Sequence, residues 1–163
     1  MTDLSSSSPP NHERIFLVVV DETEEMRVAL RYAALRAFHT GGKVALLTVI
    51  EPPGVQISQA VEDRMAEELR EGAEQLLAKL TAEVKDTCGT VPIIYIREGR
   101  RRDELFALLN EEPSISVIVL AAGAGPEGPG PLITALIGRS HQLRVPVTIV
   151  PGNLTDEQIA GLA

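Results

Sequence analysis

Tryptophan is absent and aromatic residues make up only 3% of the chain, so little material exists for stacking platforms under bases or sugars. Cys88 is the sole cysteine. One thiol excludes an intrachain disulfide and a cysteine metal cluster, and it points to a reducing, cytoplasmic setting. Between Thr87 and Gly89, at an expected helix-to-strand turn, it suits an inert thiol better than a nucleophile. Basic charge is short as well: 15 Lys and Arg face 23 Asp and Glu, for a net charge of -8. Nucleic-acid and anionic-membrane binding depend on basic surface, so neither is expected. No stretch approaches the ~18 consecutive apolar residues of a membrane span, and the first residues lack the basic-then-apolar pattern of a secretion signal. His12, His39 and His141 are scattered. No His–carboxylate–hydroxyl grouping, Lys-containing phosphate loop or paired acids stand out, so neither a metal site nor a catalytic centre is expected.

What is present is an alternation of short apolar runs and amphipathic stretches. Residues 1–12, rich in Ser and Pro, read as a disordered tail. The run 15–20 has the continuous apolar character of a parallel strand covered on both faces. It ends at Asp21, and Thr23 is placed to cap a helix carrying Met26, Leu30, Ala33, Ala34 and Ala37 on one face, stopped by Gly41 and Gly42. Further strands are expected at 44–50, 91–96, 116–121 and 145–150. A long helix over 58–86 would bury Met65, Leu69, Ala73, Leu76, Leu80 and Val84, with Gly72 marking close packing. A short helix opens at Asp103, another covers 131–142, and Thr155 with Gln158 has capping-box spacing in a last turn. The alternation defines an α/β domain over 13–152 with no internal boundary, followed by a C-terminal extension at 153–163.

The stretch 116–138 is the most informative. A buried strand passes into a loop holding Gly123, Gly125, Gly128 and Gly130 with three prolines, then into an apolar helix beginning at Pro131. A strand, a Gly-rich turn and a helix N-terminus form a geometry that holds anions, because unpaired N–H groups and the helix dipole face the loop. The same composition also suits a stiff connection with no ligand. In open parallel sheets, ligands sit beyond the carboxyl ends of the strands where strand order reverses. Asp21 ends the first strand there, either to position a ligand or to be satisfied by the following turn. Thr134 can aim a hydroxyl at the loop, and Arg139 can pair with a phosphate or lie solvated at a helix end. Arg100, Arg101 and Arg102, after the third strand, are the densest positive charge in the chain and read as a solvated turn or an anion site.

The run Ile15-Phe-Leu-Val-Val-Val-Asp-Glu-Thr23, the helix 26–37, the Arg-Glu-Gly turn at 97–99, the fourth strand with its glycines and the closing Val-Pro-Val-Thr-Ile-Val strand resemble, in order, the universal stress protein family. The resemblance covers about 13–152. It implies a Rossmann-like open parallel five-stranded sheet of order 3-2-1-4-5, with helices on both faces. It also implies an ATP-like adenine nucleotide, with or without Mg2+, near Asp21 and Val49 and against the glycine loop. The family's loop pattern is Gly-x2-Gly-x9-Gly-Ser/Thr. Gly125, Gly128 and Gly138 keep its glycine spacing but place Arg139 at the hydroxyl position; counting back from the fifth strand places Thr134 there and Gly123 at the second glycine. Two functions stay open: a non-catalytic nucleotide-binding stress protein, or a protein-interaction member without nucleotide. Both imply a homodimer through the apolar fifth strand at the sheet edge, 145–150, and a further protein partner has no signature in the sequence.

Overall fold

Six consecutive apolar residues, Ile15–Val20, form β1, and all six are buried. Alternate side chains serve opposite faces of the sheet. Phe16, Val18 and Val20 pack into one core with Met26, Leu30 and Ala33, while Leu17 and Val19 pack into a second with Leu105, Leu108 and Ile133. This explains why the run shows no polar alternation. The computed structural model describes residues 12–54 and 56–163; the tail expected over 1–12 falls, His12 apart, outside the described residues.

The remaining elements are α1 (Glu24–Thr40), β2 (Lys43–Ile50), α2 (Gln59–Cys88), β3 (Ile93–Glu98), α3 (Arg101–Glu111), β4 (Val117–Ala122), α4 (Pro131–Gly138), β5 (Val147–Pro151) and α5 (Asp156–Leu162). All strand pairs are parallel and the order is β3-β2-β1-β4-β5. Helices α1 and α2 supply the first core, α3 and α4 the second. The expected architecture and strand order are therefore present.

Several local expectations are corrected. The proximal half of α2 does not reach the core: Val61, Met65 and Leu69 stay 47%, 37% and 45% exposed, and burial begins only with Leu77, Leu80 and Val84. At about 1.5 Å per residue a 30-residue helix is ~45 Å long, longer than the sheet it packs on. Gly72 lies on this projecting half with open space around it, so it marks no close packing. Strands β3 and β5 begin after Pro92 and Pro146 rather than before them, because proline offers no N–H to the ladder. The helix after Pro131 stops at Gly138, and a 3-10 turn, Ser140–Gln142, follows. The final segment is a seven-residue helix with the expected Thr155–Gln158 capping box, and its Ile159 is buried.

Two side chains tie α3 in place. Arg97 of β3 hydrogen-bonds Glu111 at 2.5 Å and thereby holds that carboxyl below the usual glutamate range. Arg144, just before β5, donates to three carbonyls around the helix end: Leu109 (2.7 Å), Glu112 (2.6 Å) and Ile115 (3.2 Å). One guanidinium thus satisfies carbonyls that the end of a helix leaves open. Arg144→Ala should lower the unfolding free energy by about 1–2 kcal/mol, the lower end of charged hydrogen bonding because the group is solvent-facing. Urea denaturation measures it; an unchanged midpoint would show that water replaces the fork at no cost.

Candidate functional site

Strands β2 and β3 lie to one side of β1, and β4 and β5 to the other. Helix α1 leaves β1 toward one face and α4 leaves β4 toward the opposite face, so the carboxyl ends of β1 and β4 share a space that neither helix covers. A cleft of about 740 Å³ occupies it, within the ordinary range for small-molecule sites. Its floor includes Val19 and Leu120; its walls are the start of α1, the 123–130 loop and the start of α4.

Asp21 is the first residue past β1. Its Oδ1 accepts from the Thr23 amide at 2.8 Å and from the Thr23 hydroxyl at 2.5 Å. Thr23 Oγ1 in turn accepts from Met26 N at 3.3 Å, as the N-cap of α1. Both bonds to the carboxylate use the same oxygen, so Asp21 satisfies the turn with one oxygen while lining the cleft. The two readings of this residue are therefore compatible.

The loop is partly closed upon itself. Gly123 N donates to Pro129 O at 3.1 Å, and Gly128 N donates to Gly125 O at 3.3 Å, which removes two amides from any ligand. A Cβ on Gly123 would stand 3.0 Å from Gly128 O, and Gly128 and Gly130 have φ of +91° and +110°, values that glycine tolerates and side-chain-bearing residues resist. Helix α4 then starts without a side-chain cap at Gly130. Its first residue is Pro131, which has no N–H, and Thr134 N bonds Gly130 O at 3.2 Å. Among the described residues nothing accepts from the Leu132 and Ile133 amides between them. These amides, at the positive end of the helix, belong to residues that line the cleft.

Of the residues singled out in the sequence, Asp21, Gly123, Gly128, Gly130 and Thr134 line this one cleft. Thr134 Oγ1 donates to Gly130 O at 3.0 Å, fixing the first turn of α4. Gly125 is exposed at the loop tip, and Gly138 and Arg139 lie at the far end of α4, ~12 Å along an eight-residue helix. There the Arg139 guanidinium stands 5.6 Å from the centre of the Phe106 ring. Val49 is 6% exposed in the core beside α3 and is not in the cleft lining. Arg101 and Arg102, in contrast, do line it. The sequence marks them only as part of an arginine triplet after β3.

Fold and cleft together define a doubly wound α/β domain with an open crevice at its switch point. A model of the universal stress protein family matches residues 13–151, and the chain belongs to that family. Among solved structures, the universal stress protein UspA from Lactobacillus plantarum is similar with a TM-score of 0.71 and 17% identity, over 85% of this chain and 97% of that one. A universal stress protein from Archaeoglobus fulgidus in complex with dAMP has a TM-score of 0.59 and 17% identity, over 85% and 97%. A universal stress protein in complex with cAMP has a TM-score of 0.61 and 15% identity, over 87% and 99%. No curated protein sequence matches the chain significantly. At these identities the structural likeness shows the fold.

Thr23 links the rim of the cleft to the stability of α1. Thr23→Ala should cost about 1 kcal/mol in denaturant unfolding, the usual worth of an N-cap. Asp21→Asn should cost less, since its amide oxygen still accepts both turn bonds. A neutral Thr23→Ala, or a larger loss from Asp21→Asn, would show that the turn is held by something else.

Proposed function

We propose that this universal stress protein binds an adenine nucleotide, ATP or a close relative, in the crevice between β1 and β4, without catalysing a reaction on it. The observation that carries this reading is the uncapped start of α4. Two free amides and a helix dipole open into the same cleft as Asp21. The dAMP and cAMP complexes of two structural relatives support the choice of ligand. In this reading the nucleoside lies toward Asp21 and the phosphates toward α4. Among the described residues no three His, Cys, Asp or Glu side chains gather into a metal site, so a Mg2+ would take most of its ligands from phosphate and water. The Asp21 carboxylate is engaged by the Thr23 amide and hydroxyl of its own turn. The function is then ligand-dependent stabilisation of one conformer or assembly, in the cytoplasm. No helix of the described residues is long and apolar enough to cross a membrane.

Freshly purified protein, denatured and analysed by absorbance and mass, should release adenine nucleotide, and calorimetric titration should give binding tighter than millimolar. Asp21→Asn and Gly128→Val should each weaken it by about tenfold or more, near 1.4 kcal/mol. Release of nothing, together with flat titrations of ATP, ADP, AMP and cAMP, would refute the reading.

A second reading has its own support. The amides of Gly123 and Gly128 are spent inside the loop, as a stiff contact surface without nucleotide requires. Under either reading we propose a homodimer through 145–150. Strand β5 is a sheet edge, and Ile149 is 43% exposed upon it. Sedimentation should show a dimer at micromolar concentration that Ile149→Asp dissociates. A wild-type monomer at every concentration would sink the claim.

A further inference from the structure

The cleft carries its charges on separate walls. Asp21 and Glu25 stand on the β1–α1 side and Glu127 on the loop, whereas Arg101 and Arg102 enter from the start of α3. Arg102 lies 3.7 Å from the carboxylate of its neighbour Asp103. Arg101 differs: among the described residues it makes no ion pair, and its Nε is buried without a hydrogen-bond partner. Buried donors are nearly always paired, and an orphan of this kind calls for an explanation. The backbone beneath it is fixed, because Arg101 N donates to Glu51 Oε1 at 3.1 Å and Gly99 N donates to Ile50 O at 3.0 Å. The guanidinium is thus carried on an anchored turn, and among the described residues it makes no ion pair with the acids of the other cleft walls.

We propose that Arg101, assisted by Arg102, is the phosphate-chain recognition residue of the cleft and selects a nucleotide bearing two or three phosphates over its monophosphate. This rests on the nucleotide reading above and goes beyond it. A single phosphate at the Leu132 and Ile133 amides satisfies the start of α4 and leaves the arginine wall without a counter-ion. A longer phosphate chain reaches from those amides toward Arg101, whose planar fork suits bidentate contact with phosphate oxygens. Asp21 and Glu25 repel the same chain, so charge alone orients the ligand with its nucleoside toward β1. The arginine also supplies a donor to the phosphates, a role for which the hydroxyl position after Gly138 is unsuited, being filled by Arg139 at the far end of α4.

Calorimetric titration of ATP, AMP and inorganic tripolyphosphate against wild type, Arg101→Gln and Arg101→Lys tests this. The wild type should bind ATP at least about tenfold more tightly than AMP, and Arg101→Gln should collapse that ratio toward unity while weakening tripolyphosphate by a similar factor. Arg101→Lys keeps the charge but loses the fork, and should fall between. Thermal melting of each variant verifies folding, and the backbone bond to Glu51 survives either substitution. If Arg101→Gln binds ATP as the wild type does, or loses ATP and AMP equally, the arginine assignment is overturned and the nucleotide reading stands. If tripolyphosphate binds in an Arg101-dependent way but no adenine nucleotide does, the assignment holds and the nucleotide reading falls. Silence from all three ligands overturns both.

Discussion

The structure depends on the burial of β1 from both sides. A strand with all six residues buried must be flanked by two strands and covered by helices above and below. The chain meets this by building β2 and β3 to one side, then returning to lay β4 and β5 on the other. That reversal sends α1 and α4 to opposite faces and leaves the carboxyl ends of β1 and β4 without a roof. The cleft is therefore a consequence of covering the core, and whatever residues follow β1 and β4 become its walls. Asp21 and the 123–130 loop, about a hundred residues apart, meet for that reason.

Features set by local chemistry were legible in the sequence. Unbroken apolar runs marked the interior strands, Thr23 and Thr155 marked helix starts, and the reversal of strand order placed the cleft. What was not legible depends on how far each element extends and what stands opposite it. The apolar spacing of α2 is continuous from Met65 to Val84, yet periodicity cannot say that the sheet ends before Met65 does. Nothing in the sequence marks Arg144, because its three partners lie 29–35 residues away. The glycine spacing likewise admitted two registers. Only the length of α4 shows that Thr134 and Gly123 line the cleft together with Gly128, whereas Gly138 and Arg139 lie away from it. In the arginine triplet, successive residues on a helix start point about 100° apart. Sequence alone could not choose which of the three would face inward.

An acidic protein with an anion site needs its selectivity to be local. The net charge of -8 disfavours anions at long range, but exposed charges more than ~8 Å away are largely screened at physiological salt. Within that distance the groups that count are the backbone amides at the start of α4 and the guanidinia of Arg101 and Arg102. Asp21 and Glu25 stand on the β1–α1 wall, apart from the start of α4, and Glu127 is the one cleft carboxylate on the loop. On the proposed reading, this arrangement would discourage unspecific anion binding over the general surface while keeping one crevice attractive. It also ties orientation to topology. The acids follow β1 and begin α1, whereas the donors come from α3 and α4 on the opposite face of the sheet. A ligand bridging the two must span the switch point itself, and so would report on the one junction that holds both halves of the sheet together.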